Sequence, residues 1–108
     1  MTVTEQIEVV QKVVEDFIQE NSDCNLIPIH ISLNPESLIH VINIGTSILC
    51  TKWGVGYPGG SFVQAVVDNN LTNSFAKADD INRQCLYFYV NLMYNTSKPN
   101  IFLEEISI

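Results

Sequence analysis

The chain has 108 residues, 46% apolar and 16% charged, with a net charge of −7. That suits one small domain with a modest core and excludes a disordered tail. Twelve carboxylates against five basic residues (Lys12, Lys52, Lys77, Arg83 and Lys98) exclude a binder of long nucleic acid, which needs many cations facing phosphates, but they leave a small anion open.

The first segment, "MTVTEQIEVVQKVVEDF", is acidic and amphipathic. A secretory leader starts basic and then runs apolar, so none is expected, and no run reaches the roughly 18 to 20 apolar residues that cross a bilayer. A cytoplasmic protein is the expectation. Residues 4–20 read as a helix, because Ile7, Val10, Val14, Phe17 and Ile18 recur at three-four spacing. Thr2 and Glu5 match a capping box.

Residues 26–51 read as strands. "LIPIHISL" alternates, placing Ile27, Ile29, Ile31 and Leu33 on one face. Pro28 cannot donate to a ladder, which makes this an edge strand. Asn34 and Pro35 are turn chemistry. "LIHVINIGTSILCT" is rich in β-branched residues, with Gly45 as a bulge or second turn.

"TKWGVGYPGGSF", residues 51–62, holds four of the five glycines and the only tryptophan. Ser61 and Gln64 form a second capping box, with Ser61 as N-cap of a short helix from Phe62. "DNN" interrupts it, Leu71 and Phe75 continue one turn apart, and Asp79 caps a long last helix. The stripe Ile81, Cys85, Phe88, Tyr89, Leu92 and Met93 on that helix is broad enough to pack between subunits as well as within one. The apolar tail, residues 97–108, is expected to add a strand or dock on a neighbour.

The expected fold is therefore α+β, in one domain of three regions. Residues 1–53 would form a helix on a small antiparallel sheet, 54–96 a bent antiparallel helical hairpin, and 97–108 the docking tail.

Enzyme constellations are poor. Ser61 has no nearby histidine and no G-x-S-x-G. Gly54, Gly56 and Gly59 spell G-x-G-x-x-G only in letters, since Pro58 sits inside and no βαβ unit follows. Cys24, Cys50 and Cys85 are too scattered for a disulfide framework or a zinc site, and His30 and His40 lack ligand neighbours. No catalytic group, metal or cofactor is expected. Two sequons, at Asn70 and Asn95, read as chance matches.

Anion capture is the stronger chemical reading. Gly59 and Gly60 would leave backbone N–H groups bare at a helix start, and Ser61 would add a hydroxyl. Trp53 and Tyr57 offer stacking faces, with Lys52 and Arg83 as cations. The competing reading is a plain connector with Trp53 plugging the core.

Residues Gly56 to Asn95 also resemble a family of small phage proteins. The shared pattern appears as Pro58, Gly60, Phe62, Ala65, Val66, Asn69 and Leu71. It continues through Ser74-Phe75, Ala78-Asp79, Asn82 and Met93-Tyr94-Asn95. The resemblance is to the phage sponges of the anti-CBASS and anti-Thoeris type, which oligomerise, often as hexamers, and sequester the cyclic nucleotides of bacterial immunity without cleaving them. It implies a homo-oligomer, dimer to hexamer, that binds a cyclic nucleotide or cyclic ADP-ribose-like signal. Tyr57 matches the family's contact tyrosine. The family's contact lysine falls on Thr72 here, with Lys77 or Arg83 as substitutes. Phe62 completes the expected ligand-binding set with Lys52, Trp53, Tyr57, Gly59, Gly60, Ser61, Thr72 and Arg83. The alternatives are a phage structural or protein-interaction module and, more remotely, a hydrolase site built across subunits.

Overall fold

In the computed structural model, which describes residues 1–106, helix α1 spans Val3–Glu20 and begins as the sequence predicts. The Thr2 hydroxyl accepts from the Glu5 N–H, and the Glu5 carboxylate accepts from the Thr2 N–H, each at 3.1 Å. Val10, Val14 and Phe17 are its buried face.

The rest of the first half departs from expectation. A 3-10 turn at Ser22–Cys24 leads to the single-turn helix α2, Ile29–Ser32, and then to the long helix α3, Pro35–Trp53. No strand occurs among the described residues, so the α+β expectation is corrected to an all-helical fold. The "LIPIHISL" alternation does not mark a sheet face. Ile31 is 2% exposed, whereas Ile29 and Leu33 are 71% and 75% exposed. Pro28 is the N-cap of α2, not part of an edge strand.

Asn34 and Pro35 are a helix start and not a turn between strands. The Asn34 side-chain oxygen Oδ1 accepts from the N–H groups of Glu36 and Ser37, both at 3.1 Å, and Pro35 sits where its missing N–H costs nothing. At the other end Gly54 takes φ +70°, the left-handed geometry that ends helices, and the Val55 N–H donates to the Cys50 carbonyl at 3.0 Å. Between these signals Val41, Gly45, Ile48, Leu49 and Trp53 are buried at helical spacing. Good caps and a buried face outweigh the modest helix penalty of β-branched residues.

Gly45 is not a bulge. It is where α3 meets its neighbours most closely: a Cβ there would lie 3.0 Å from Leu92 Cδ2 and 3.2 Å from Val14 Cγ1.

The second half holds α4 (Ser61–Val67), α5 (Leu71–Lys77), α6 (Asp80–Gln84), α7 (Leu86–Asn95) and α8 (Asn100–Ile106). The long last helix expected from Asp79 is divided at Cys85. Its N–H is shared between the carbonyls of Ile81 and Asn82, at 3.1 and 3.2 Å. Asp79 caps α6 as expected, accepting from the Asn82 N–H at 2.7 Å.

The core sits around α3, with α1 on one side and α4 and α7 on the others. Three aromatic contacts tie it together: Phe17–Phe88 at 6.0 Å, Phe88–Tyr89 at 5.7 Å and Phe62–Tyr89 at 5.9 Å between ring centroids. The stripe Cys85, Phe88, Tyr89, Leu92 and Met93 is therefore buried inside this chain and is not exposed to a subunit neighbour. The tail forms no strand among its described residues: residues 97–99 are loop, α8 follows from Asn100, and Phe102 joins the core. Residues 107 and 108, which the tail expectation also covered, lie outside the described residues.

Candidate functional site

The glycine-rich segment is pinned down by its own chain. The Gly56 N–H donates to Gln6 Oε1 at 3.0 Å, and the Gly59 N–H donates to Thr51 Oγ1 at 2.9 Å. So Gly59 does not offer a bare donor. Ser61 is the first residue of α4 and not its cap. Gly60 is the N-cap, and Gln64 reaches back to the Gly59 carbonyl at 3.3 Å.

The predicted ligand groups do not converge. Trp53 is only 9% exposed and packs into the core, and Phe62 is buried against Tyr89. These two are core residues and cannot offer faces to a base. Lys52 donates to the Met93 carbonyl at 2.6 Å, and its ammonium lies 5.8 Å from the Tyr94 ring centroid. Arg83 is in the last turn of α6, paired with Asp80 at 3.3 Å and donating to the Ala78 carbonyl at 3.2 Å. Thr72 is exposed on α5. Tyr57 alone keeps an open ring, 67% exposed. It borders a cleft of about 200 Å³ with Pro58, Ile7, Asn43, Ser47 and Cys50, and none of the other predicted ligand residues lines that cleft.

A second place draws more apolar surface together. Leu71 and Phe75 on α5 lie beside Tyr87 and Val90 on α7, around a groove of about 260 Å³ floored by Val66 and Leu86. Tyr94 continues the α7 ridge one turn on. Tyr87 is 67% exposed, and all five are large exposed apolar or aromatic residues. Asn69 and Asn70 line the groove as well, whereas Asn91 and Asn95 line a separate cleft beside Tyr87 with Phe17, Glu20 and Asn21. Asn91 and Asn95 each donate an amide N–H to the carbonyl four residues earlier on α7, at 2.8 and 2.9 Å. Sequence reading missed this face, although Tyr87, Val90 and Tyr94 stand at three-four spacing. The stronger apolar stripe of the same helix hid it.

α6 and α7 also share a buried polar contact. The Tyr89 hydroxyl donates to Asn82 Oδ1 at 2.7 Å, and Asp79, which caps that turn, comes 3.0 Å from His40 Nε2. Burial first, and the Asp79 charge second, push the Cys85 thiol up to about 11, and burial raises the Tyr89 phenol as well. The fold thus holds both groups neutral. The stability this confers is complete below the unfolded thiol's range, near pH 8.5, and is lost as pH rises toward about 11. Melting temperature should fall across that window, and Cys85→Ala should melt lower at pH 7 but lose less between pH 8.5 and 10 (about the range where thiols titrate first).

Among the described residues no three His, Cys, Asp or Glu side chains gather to hold a metal, and no helix is long and apolar enough to cross a membrane. No family model, curated protein or solved structure matches this chain.

Proposed function

We propose that this chain is a helical interaction module, which binds protein through the α5–α7 face and catalyses nothing. It works in the cytoplasm of the cell that makes it, without cofactor or metal. The observation that carries the reading is the cluster of Leu71, Phe75, Tyr87 and Val90, exposed around one groove on α5 and α7 and flanked by the amides of Asn69 and Asn70, with exposed Tyr94 one turn further along α7. Contiguous apolar patches with polar rims mark interaction surfaces, and aromatic residues are enriched at their centres.

A photo-crosslinking residue placed at position 87, in the cell that makes the protein, should give covalent protein adducts. The same residue at position 57 should give none. Adducts from neither position would sink the reading.

Tyr57 favours a second reading, in which the chain is a phage-encoded sponge that sequesters a cyclic nucleotide or cyclic ADP-ribose-like signal. Its ring is open to stack on a base. The cleft beside it, about 200 Å³, is below the roughly 300–1,000 Å³ of small-molecule pockets, so a neighbouring subunit would have to complete it. Native mass spectrometry of the full chain against a panel of signalling nucleotides separates the two. The interaction reading expects no added mass. Intact nucleotide on the native chain, lost in Tyr57→Ala, would replace it with the sponge, and cleaved nucleotide would point to a hydrolase.

A further inference from the structure

We infer that the cleft between the end of α1 and the side of α7 is a receptor for a guanidinium group on a short aliphatic stem. The cleft, about 450 Å³, is separate from the α5–α7 groove and shares only Tyr87 with it. Its size falls within the roughly 300–1,000 Å³ of small-molecule sites.

Charge is the first argument. Glu20 is the one carboxylate on the cleft wall, and none of the chain's five basic residues lines it. Three of those cations are spent elsewhere. Lys12 pairs with Asp16 at 3.2 Å, Arg83 pairs with Asp80 at 3.3 Å, and Lys52 donates to the Met93 carbonyl at 2.6 Å beside the Tyr94 ring. Lys77 lies on α5, and Lys98 lies in the loop after α7. Glu20 has no hydrogen-bond or ion-pair partner among the described residues. It is also the last residue of α1, where the carbonyl end of a helix favours a cation, and that last turn holds no basic residue. Asp23 follows in the 3-10 turn and adds to the negative charge at this end of the cleft. A carboxylate so placed works against the fold and calls for a positive ligand.

Hydrogen bonding is the second. Asn21, Asn91 and Asn95 each donate a side-chain N–H to the carbonyl four residues earlier, those of Phe17, Tyr87 and Asn91, at 2.9, 2.8 and 2.9 Å. Only the N–H side of an amide can face a carbonyl, so all three amides are fixed in one sense, and each keeps its oxygen as an acceptor. Tyr87, Asn91 and Asn95 follow one another at one-turn spacing along one face of α7. An anion in this cleft would meet uncharged donors alone: the second N–H of each amide, the Tyr87 hydroxyl and the Cys24 thiol. A guanidinium is the complement, because it carries only donors, all in one plane.

Shape is the third, and it separates guanidinium from ammonium. The Tyr87 ring is 67% exposed, and Phe17 and Leu26 give the cleft an apolar wall on which a stem can lie. A guanidinium stacks flat on an aromatic face and meets a carboxylate through two parallel N–H groups, whereas an ammonium is a more strongly hydrated point charge.

An NMR titration of the full chain with n-butylguanidinium chloride tests this. Saturable shifts are expected in the side-chain amide signals of Asn21, Asn91 and Asn95, and n-butylammonium should bind at least about three-fold more weakly. Glu20→Gln should weaken binding about ten-fold or more, yet melt no lower than the parent, because it takes a carboxylate off a helix C-terminus. Glu15→Gln removes the same charge from α1 outside the cleft and should leave binding unchanged. Tyr87→Leu should weaken it about three-fold or more, and Tyr87→Phe should not. Two further probes separate the sources of the group. Tighter binding of N-acetyl-arginine amide assigns the cleft to an arginine side chain within a peptide, and tighter binding of L-arginine assigns it to the free amino acid. Shifts that grow without saturating, equal losses from Glu20→Gln and Glu15→Gln, or equal binding of n-butylammonium would each overturn the inference.

Discussion

Gly59→Ala should lower the melting temperature by more than about 10 °C, while Gly60→Ser, one residue on, should raise it by a few degrees (about 4–8 °C accompanies each kcal/mol in a domain near this size). A Cβ on Gly59 would lie 2.5 Å from Val63 Cβ and 2.6 Å from Ser47 Oγ. Val63 is β-branched and 3% exposed, so it has nowhere to turn. Overpacking of this kind costs about 1–3 kcal/mol, and the upper end applies because the clash falls on a Cβ and not on a flexible tip. Any shift of the loop to relieve it also strains the bond from the Gly59 N–H to Thr51. Gly60 is the opposite case. Nothing lies within 4 Å of its missing Cβ, and its extended backbone suits serine. A serine there gains a capping oxygen for α4 and loses less chain entropy on folding, together about 0.5–1 kcal/mol. Thermal melts of the two variants decide the matter. A Gly59→Ala protein that melts like the parent would show that Val63 and Ser47 can give way at no cost, and would contradict the close approach.

Asn82→Ala should cost about 3 kcal/mol in urea denaturation, more than its size suggests, because it strands a hydroxyl in the core. Tyr89 is fully buried, and its hydroxyl donates to Asn82 Oδ1 at 2.7 Å. Removing the acceptor leaves the donor without water or partner, at about 1–3 kcal/mol, and the small void left by the amide adds to that. Tyr89→Phe makes the mirror-image fault. The double variant removes both ends, so its loss should fall short of the sum of the single losses by about 1 kcal/mol or more. Strict additivity would show that the two groups do not depend on each other.

How far the fold could be read in advance differs from helix to helix. α1 was legible because its capping box, its three-four spacing and its charged outer face all agree. α3 was not, because its β-branched composition argued for strand and its short neighbour happened to alternate. The decisive residues were at its ends. Asn34-Pro35-Glu36 and Gly54 are helix punctuation, and read as such they would have joined the interior into one helix. The candidate site failed for a different reason. Lys52, Trp53, Gly59 and Phe62 are close in sequence, but each is turned to an internal partner: a carbonyl, the core, a threonine hydroxyl, a tyrosine ring. Nearness along the chain does not show which way a side chain faces. The same gap hid the α5–α7 face. α7 is apolar almost all round, and a helix of that kind does not disclose from its sequence which side it keeps inside.

The central placement of α3 bears on how the chain finds its structure. α1 and α2 precede it and α4 follows it, so most of its neighbours are also its neighbours along the chain. Loops that short cost little entropy to close, and folds dominated by local helical contacts form quickly. α3 can therefore collect α1, α2 and α4 before the distant α7 arrives to close over Gly45. The uncharged ridge on the back of α7 is then set in place among the last parts of the molecule, when most of the apolar surface it could wrongly adhere to is already covered.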